Sequence, residues 1–482
     1  MWSSKSSGSA EGLIPCRTAG AWALTVLSPL LVLFLVRWGA PGADSPAWRD
    51  GLLPFNYNGH GANLTAAVEA MRADPMAELR AFVLPVTCAD GERSLHCNEE
   101  AFVLAAKYLG AFMLAQIAMM VVLPGGRHEG PESAGGHVPV YTKNGVLSYA
   151  ISMAGFVALV SYDLVDGDVV MQLYPFMVVL LNAFALVLCL FMVVKGHTCP
   201  SHGGRDSSTS GDPVMDLYWG TELYPELFGL DVKTFTNCRF GMTAWATALV
   251  SFAYFNAKIN GGALHHDSAV AMVLTVFYLG KFFLWEHGYW ASMDIAHDRA
   301  GFYICWGCLV WVQTVYVSYG YYYAWQTTDS FVVAFGEENA AAASYAAIAV
   351  GVVMVYLNYE ADRQRMHARS TRGAGSAWGS KYECIRADYT TDEGNARTSL
   401  LLASHLWKPA RHFHYVFEIL AAVSWCVPLS LGVLFPNVYW IFLTILLFDR
   451  ARRDDARCFA KYGESWKRYR AEVPALVVPG LF

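Results

Sequence analysis

The sequence has few charged residues for its length. Asp, Glu, Lys and Arg make up only 15% of its 482 residues, whereas hydrophobic residues make up 55%. A water-soluble protein of this size needs roughly a quarter of its residues charged to cover its surface. The composition therefore excludes an ordinary soluble enzyme and favours a polytopic helical membrane protein.

The common nucleotide-binding and hydrolase motifs are also missing. No GxGxxG follows a strand and no GxxxxGK[ST] occurs, so neither a Rossmann domain nor a P-loop holds a nucleotide here. GxSxG and HExxH are absent as well. Any nucleotide cofactor must therefore be held by another arrangement.

The eleven cysteines form no disulfide framework. Cys305 and Cys308 spell CWGC inside an apolar run, but no second pair or nearby His completes a zinc set. We therefore expect no metal. Cys88 and Cys97 could form a disulfide if their loop is lumenal.

Apolar segments long enough to cross a bilayer recur along the chain. We predict an all-α, polytopic transmembrane bundle of about ten spans with a C-terminal helical hairpin and a cytosolic cofactor-binding loop and tail. The predicted spans are residues 20–38, 101–123, 145–163, 168–195, 237–256, 266–285, 301–323, 338–357, 413–432 and 434–448.

Basic residues are concentrated near the C-terminus. Of the 34 Lys and Arg residues, 17 lie between Asn358 and Phe482. They gather in 358–412 and 449–470, which flank the terminal hairpin and therefore lie on the same face of the membrane. The positive-inside rule makes this face cytosolic. A site built from one loop and one tail is therefore available there.

The tail segment DRARRDDARCFAKYGESWKRYR mixes acidic residues with basic ones, unlike a simple membrane-anchoring collar. Asp454, Cys458 and Lys461 have the spacing i, i+4, i+7 and share one helix face. Tyr462 and Tyr469 are also seven residues apart. Such a face could bind a nucleotide through its basic groups, aromatic rings and carboxylate. Solvated ion pairs would give a similar pattern, so both interpretations stay open.

Three further clusters carry polar residues near membrane boundaries. WEHGYWASMDIAHDRAGFYICWG contains Glu286, Asp294 and His297, and it is either functional or a solvated interfacial loop. In WKPARHFHYVFEIL, His412 and His414 are two residues apart, which argues against a paired metal site on a helix. LPGGRHEGPESAGGHVPVYTKNG is most simply a connecting loop.

These motifs together resemble the sterol reductase family. The resemblance rests on the tail with its VPGLF end, on RHFHYV, MDIAHDRAGFYICWGCLVW, YWGTELYP and FTNCRFGM, and it covers roughly residues 105–482. The residues FHY and EIL in this stretch are most similar to the plant branch of the family. The N-terminal 100 residues carry little resemblance.

The resemblance implies a multi-pass endoplasmic-reticulum enzyme that uses NADPH to saturate the 7,8 double bond of 5,7-diene sterols. Its implied partners are the sterol substrate, the lipid bilayer and other enzymes of sterol biosynthesis, and no nucleic acid. It divides the chain into a disordered tail, a first span with a variable loop, a sterol-binding core and an NADPH-binding region. These parts are 1–18, 19–100, 101–357 and 358–482.

The resemblance also implies site residues. Tyr316 and Asp454 are the expected proton-donor network, because membrane burial keeps a carboxyl group protonated. Glu286, Asp294 and His297 are the next candidates for the proton donor, or they shape the sterol pocket instead. The implied NADPH-binding residues are Arg365, Leu402, Trp407, His414, Tyr415, Asp454, Cys458, Lys461, Tyr462 and Tyr469.

Two positions depart from the animal members of the family. Ala361 stands where they have a lysine that contacts the cofactor, and His414 replaces an asparagine. Arg363 or Arg369 is the expected replacement for the missing lysine.

Other functions stay open at this point. A sterol Δ14-reductase would share the NADPH tail and act on 8,14-dienes. A non-enzymatic sterol-binding protein would not turn over substrate, and a transporter is disfavoured because no internal repeat is visible.

Overall fold

The computed structural model describes residues 14–42, 59–85, 95–133, 135–390, 396–426 and 432–481. Most of them are helical. The described α-helices are α1 (Ile14–Gly39), α2 (Leu64–Ala73), α3 (Pro75–Val83), α4 (Leu95–Val122), α5 (Gly145–Ser161), α6 (Val169–Thr198), α7 (Pro213–Trp219), α8 (Thr243–Ile259), α9 (His266–Leu284), α10 (Glu286–Tyr289), α11 (Met293–Ala296), α12 (Ser318–Ala324), α13 (Ser330–Phe335), α14 (Glu337–Ser370), α15 (His414–Cys426), α16 (Val438–Tyr462) and α17 (Glu464–Glu472).

The described strands form four two-stranded antiparallel hairpins. They are β1 (Gly126–Glu129) with β2 (Val140–Lys143), β3 (Glu226–Leu227) with β4 (Leu230–Asp231), β5 (Ser376–Ala377) with β6 (Ser380–Lys381), and β7 (Cys384–Thr390) with β8 (Ala396–Leu402). In the described part of the chain, two π-helices, Thr234–Met242 and Phe302–Trp311, interrupt the regular helical geometry.

Five described helices are long and apolar enough to cross a membrane: Ala19–Gly39, Asn98–Val122, Val169–Thr198, His266–Leu284 and Glu337–Ser370. Each matches a predicted span. Shorter apolar helices, at Gly145–Ser161, Phe302–Trp311 and His414–Cys426, coincide with three more. The helical membrane-protein class is therefore confirmed, and the total of ten spans stays a prediction.

The variable loop predicted within 19–100 contains the two short helices α2 and α3. Asn63 caps α2 by accepting a hydrogen bond from the backbone N–H of Ala66, at 3.1 Å. Asp74 caps α3 in the same way through Ala77, at 2.9 Å, and Pro75 occupies the first turn. These are standard helix-start signals. Cys88 lies outside the described residues, and so does the side chain of Cys97, so their predicted pairing is not described.

The chain forms two compact units. The first unit comprises Met1–Asp329 and Gly432–Pro436, and the second comprises Ser330–Leu431 and Asn437–Phe482.

The core of the first unit is built around the second π-helix. Phe302 and Trp306 stack with ring centroids 4.6 Å apart. The indole N–H of Trp306 donates to Asn182 Oδ1 at 2.8 Å, and Asn182 donates in turn to the carbonyl of Pro29 at 3.0 Å. This chain of contacts joins α1, α6 and the π-helix, with its polar groups satisfied inside an apolar core.

The second unit packs the β7–β8 hairpin against α16 and α17. Ala387 and Leu401 of the hairpin form a buried cluster with Trp466, Tyr469 and Val473. The buried Arg411 also ties the chain end down, because its Nη1 donates to the carbonyls of Val473 and Pro474 at 2.7 and 2.8 Å. The loop before α15 and the C-terminal tail are therefore held together within one unit.

Candidate active site

All ten residues predicted to bind the cofactor lie in the second unit. The first group forms around Trp407. Its indole N–H donates to the carbonyl of Ala361 at 2.7 Å, the guanidinium of Arg365 lies 4.8 Å from its ring centroid, and its ring packs against His414 at 4.8 Å. The fully buried Ala361 therefore contributes a backbone acceptor that fixes the indole. One face of Trp407 is covered by a permanent cation.

A second group surrounds Asp454 on α16. Oδ2 of Asp454 accepts a hydrogen bond from Nε2 of His412 at 3.1 Å, and Oδ1 accepts one from Nη2 of Arg457 at 2.5 Å. Burial raises the pKa of Asp454, but the hydrogen bond of His412 and the charge of Arg457 outweigh it and hold this pKa well below its usual range. Asp454 is therefore an ionised carboxylate, which differs from the protonated acid expected from burial alone.

Cys458 lies one helical turn after Asp454. Its Sγ is 3.8 Å from Oδ2 of that carboxylate. Burial and the charge of Asp454 raise the pKa of the Cys458 thiol to about 12. The thiol is therefore protonated at neutral pH, which argues for a contact role and against a nucleophile.

Lys461, Tyr462 and Tyr469 continue this surface. The ammonium of Lys461 lies 4.3 Å from the ring centroid of Tyr389, and Tyr389 meets Tyr462 edge to face at 5.4 Å. The hydroxyl of Tyr469 donates to the carbonyl of Leu402 at 2.9 Å. Tyr389 on β7 was not expected from the sequence, because its neighbours there give no signal for a site.

Tyr415 joins the Trp407 group to the Asp454 group. Its ring stacks on His412 with centroids 5.4 Å apart and lies 4.3 Å from His414. Nδ1 of His412 and Nδ1 of His414 are buried and have no hydrogen-bond partner among the described residues. Buried polar atoms are normally satisfied, so these nitrogens are available to a ligand. The sequence placed His412 at a helix start and gave it no role.

The structure also separates the two arginines that the sequence left as alternatives. Arg363 forms a two-point ion pair with the buried Glu360, at 2.6 and 2.8 Å. Arg369 lies one turn after Arg365 on the same face of α14, and it acts electrostatically on the Asp454 side of the cluster. Arg363 therefore has a structural partner, and Arg369 extends the cationic surface of Arg365.

These residues suit a dinucleotide cofactor. Arg365, Arg369 and Lys461 supply fixed positive charge for phosphate groups, and rings of Trp407, Tyr415 and Tyr462 supply stacking surfaces. The unpartnered imidazole nitrogens add buried hydrogen-bonding sites. The donor set therefore fits NADPH without a Gly-rich phosphate loop.

The remaining predicted residues lie in the first unit. Tyr316 packs edge to face on Trp245, with ring centroids 5.2 Å apart. Asp294 is buried on α11, and His297 follows this helix as an exposed residue.

Lys233 anchors the backbone around Asp294. Its Nζ donates to the carbonyls of Asp294, Ile295 and Asp298 at 3.2, 2.6 and 2.8 Å. Burial lowers the pKa of Lys233 to about 8. This lysine was not expected from the sequence, although a lysine next to a membrane-boundary segment is a recognisable signal.

Glu286 is part of a buried network of polar side chains. It forms an ion pair with Arg239, whose Nη2 also donates to Asn144 Oδ1 at 2.8 Å. Asn144 donates in turn to three carbonyls at the end of α4. A Cβ at Gly145 would lie only 2.3 Å from Oε2 of Glu286. The carboxylate is therefore fixed from several sides.

We expect Gly145→Ala to destabilise the protein by about 1–3 kcal/mol, because Glu286 has no room to move away from the new methyl group. Gly155→Ala is the matched control in the same helix, since a Cβ there meets nothing within 4 Å. The control should be neutral or slightly stabilising. The thermal unfolding midpoints of the purified proteins test this prediction. Equal midpoints for both variants would show that Glu286 is not fixed in place.

Comparisons with known proteins show the family of this chain. Residues 88–482 match the model of the ergosterol biosynthesis ERG4/ERG24 family. The chain is 42% identical over 380 residues to 7-dehydrocholesterol reductase of Arabidopsis thaliana, which covers 79% of this chain and 85% of the relative.

Two further relatives show the spread of the family. Delta(14)-sterol reductase of Methylotuvimicrobium alcaliphilum is 32% identical over 383 residues, 78% of this chain and 83% of the relative. The 7-dehydrocholesterol reductase of Xenopus laevis is 28% identical over 391 residues, 78% of this chain and 80% of the relative. On this match over most of its length, the chain belongs to the ergosterol biosynthesis ERG4/ERG24 family of sterol reductase enzymes.

Proposed function

We propose that this enzyme uses NADPH to reduce the 7,8 double bond of 5,7-diene sterols, as a multi-pass protein of the endoplasmic-reticulum membrane and beside other sterol-biosynthesis enzymes. The observation that carries the proposal is the cluster of the second unit, where basic and aromatic residues surround the His412–Asp454 pair. The plant relative named for this activity supports the choice of double bond.

The cofactor residues divide by chemistry. Arg365 and Arg369 would hold the phosphates, and Arg369 would take over the role of the lysine that Ala361 replaces. Lys461, Tyr462 and Tyr469 continue this wall, with Leu402 and Cys458 as its apolar floor. Trp407, His414 and Tyr415 supply ring surfaces at the opposite side of the set.

When bound, NADPH supplies the hydride that saturates carbon 7 of the sterol. The chain must supply the proton. A proton delivered to carbon 8 leaves an allylic cation across carbons 5 to 7, which is stable only where water is excluded. One hydride and one proton together saturate the 7,8 bond and leave the 5,6 double bond.

Asp454 acts in this scheme as the base partner of His412. Its carboxylate accepts the Nε2 hydrogen, so the buried Nδ1 of His412 is the ring atom that can exchange a proton with a ligand. Tyr316 is the proposed donor on the sterol side. Glu286 and Asp294 shape the sterol region by fixing its backbone, and His297 lies at its exposed edge.

The test offers two substrates side by side to microsomes that express the chain in cells without endogenous sterol reductases. With NADPH, we expect conversion of 7-dehydrocholesterol to cholesterol and little turnover of an 8,14-diene sterol. Preferential turnover of the 8,14-diene would assign the chain to the function of its Delta(14)-sterol reductase relatives. Turnover of neither substrate by well-expressed protein would leave a non-enzymatic sterol-binding role.

A further inference from the structure

The short helices α2 and α3 follow the first membrane-spanning helix and precede the segment matched by the family model. Both expose large apolar side chains. We propose that this surface, termed the apolar stripe, lies in the bilayer interface and contacts lipid. The stripe comprises Leu64, Val68 and Met71 of α2 with Met76, Leu79 and Val83 of α3.

Helix α2 has three distinct faces. Ala67 is fully buried against the protein. Leu64, Val68 and Met71 repeat at i, i+4 and i+7 beside that buried face, and the first two are exposed. Glu69 and Arg72 occupy the far side. A solvated helix needs no such apolar sector, whereas an interfacial helix does.

Helix α3 also has a buried face and an exposed apolar sector, and here the sector lies on the side away from the buried face. Ala81 and Phe82 are buried. Met76, Leu79 and Val83 repeat at i, i+3 and i+7, and Met76 is 68% exposed and Val83 53%. Both consecutive helices therefore combine a buried face with a separate exposed apolar sector. This regularity distinguishes the stripe from scattered surface hydrophobics.

A buried ion pair fixes the rotation of α3 about its axis. Arg37, in the last turn of α1, binds both oxygens of Glu78, through Nε at 2.5 Å and Nη2 at 2.8 Å. His60 adds a third contact to Glu78 at 3.2 Å. The ion pair contributes little net free energy to folding, but it allows only one orientation of α3. The exposed sector of α3 is therefore set by the fold.

The position of helix α1 indicates which environment the apolar stripe faces. Val26, Leu30, Leu33 and Arg37 repeat at i, i+4, i+7 and i+11 and share one face of this spanning helix. Leu33 and Arg37 line a cleft with Ala81 and Phe82 of α3. Val26 and Leu30, further along the same face, are exposed in a helix apolar enough to span a membrane.

Helix α3 therefore lies where the lipid-facing surface of α1 ends. The apolar stripe continues this surface into the depth at which amphipathic helices lie. The polar side, with Arg72 and Arg80, is left for water and headgroups. Lipid is the occupant that matches both the composition of the stripe and its position.

Site-specific photo-crosslinking in the full-length protein tests this proposal. p-Benzoylphenylalanine is placed at Leu79 or, as the matched control, at Arg80, which is also exposed but one position round the helix. The proteins are irradiated in microsomes and purified, and their adducts are identified by mass spectrometry. We expect lipid adducts at Leu79 to exceed those at Arg80 by about fivefold or more.

Two results would overturn the proposal. Equal lipid labelling at both positions would mean that the stripe does not face the bilayer. A cross-link from Leu79 to residues 43–58 or 86–94, or to another protein, would show a different occupant. Size-exclusion chromatography confirms that both variants are folded, and neither position belongs to the proposed active site, so reductase activity serves as an independent check.

Discussion

Asp454→Asn is expected to lower sterol turnover by a factor of about 100 to 10,000, the range that positioned acid–base groups contribute. Asp454 has two oxygens with two different donors, since Oδ1 accepts from Arg457 and Oδ2 accepts from Nε2 of His412. An asparagine keeps only one acceptor. Arg457 can only donate, so the amide oxygen stays with Arg457 and the amide NH₂ faces His412.

The amide then reverses the role of His412. Nε2 must accept a hydrogen bond, which moves the single proton of the neutral ring to Nδ1. Nδ1, the ring atom proposed to exchange a proton with the ligand, thereby becomes a donor where it was an acceptor. In a serine protease, a wrong tautomer of the catalytic histidine lowers kcat about 10⁴-fold although the geometry of the site is intact. We therefore expect the loss to appear in kcat and the protein to remain folded.

Asp449→Asn is the matched control on the same helix. Asp449 is exposed and pairs with Arg453 one turn later. Such surface pairs contribute at most about 1 kcal/mol, so turnover should stay within twofold of the parent. Initial rates with 7-dehydrocholesterol in microsomes, normalised to the amount of enzyme, give the comparison. Comparable activity of the two variants would remove Asp454 from the chemistry.

The sequence predicted the parts of this site that are encoded locally. Helical spacing placed Asp454, Cys458 and Lys461 on one face, and α16 extends through Tyr462. The charge distribution paired the loop with the tail, and the structure packs these two segments in one unit. Both signals depend only on periodicity and charge, which single-sequence reasoning can follow.

Contacts between distant residues could not be predicted in this way. His412 and Asp454 are 42 positions apart, so no spacing rule links them. The state of Asp454 depends on this contact, because burial alone would have kept the acid protonated. The π-helix Phe302–Trp311 likewise follows from packing around Trp306 and has no distinctive sequence pattern.

The short helices α2 and α3 show a different limit. Their N-caps at Asn63 and Asp74 can be recognised in the sequence, but the apolar spacing covers only two or three turns. In a chain dominated by long spans, the surrounding stretch appears as a polar loop. Tertiary contacts such as Arg37–Glu78 then decide whether such short helices form.

Arg369→Ala is expected to raise the KM for NADPH by about 10- to 100-fold and to leave kcat nearly unchanged. The loss corresponds to one charge-assisted hydrogen bond to a phosphate, about 1.5–3 kcal/mol. Among the residues that the structure describes, Arg369 makes one long hydrogen bond, from Nε to the carbonyl of Leu400 at 3.5 Å. Its guanidinium is therefore available for the 2′-phosphate, and the KM for NADH should not change.

Arg363→Ala should give the opposite pattern. Arg363 pairs with the buried Glu360 through two charge-assisted hydrogen bonds. Without Arg363 this carboxylate is left without its ionic partner, which costs about 1–3 kcal/mol of stability. The thermal unfolding midpoint should therefore fall, and the KM for NADPH should stay close to that of the parent.

The two arginines lie on different faces of α14, six positions apart, so one pair of variants separates cofactor binding from folding. KM values for NADPH and NADH and unfolding midpoints are measured for both proteins. A KM shift for NADPH alone in Arg369→Ala assigns the phosphate contact to Arg369. Equal shifts for the two cofactors would make Arg369 a structural residue, and a KM shift in Arg363→Ala at an unchanged midpoint would transfer the phosphate contact to Arg363.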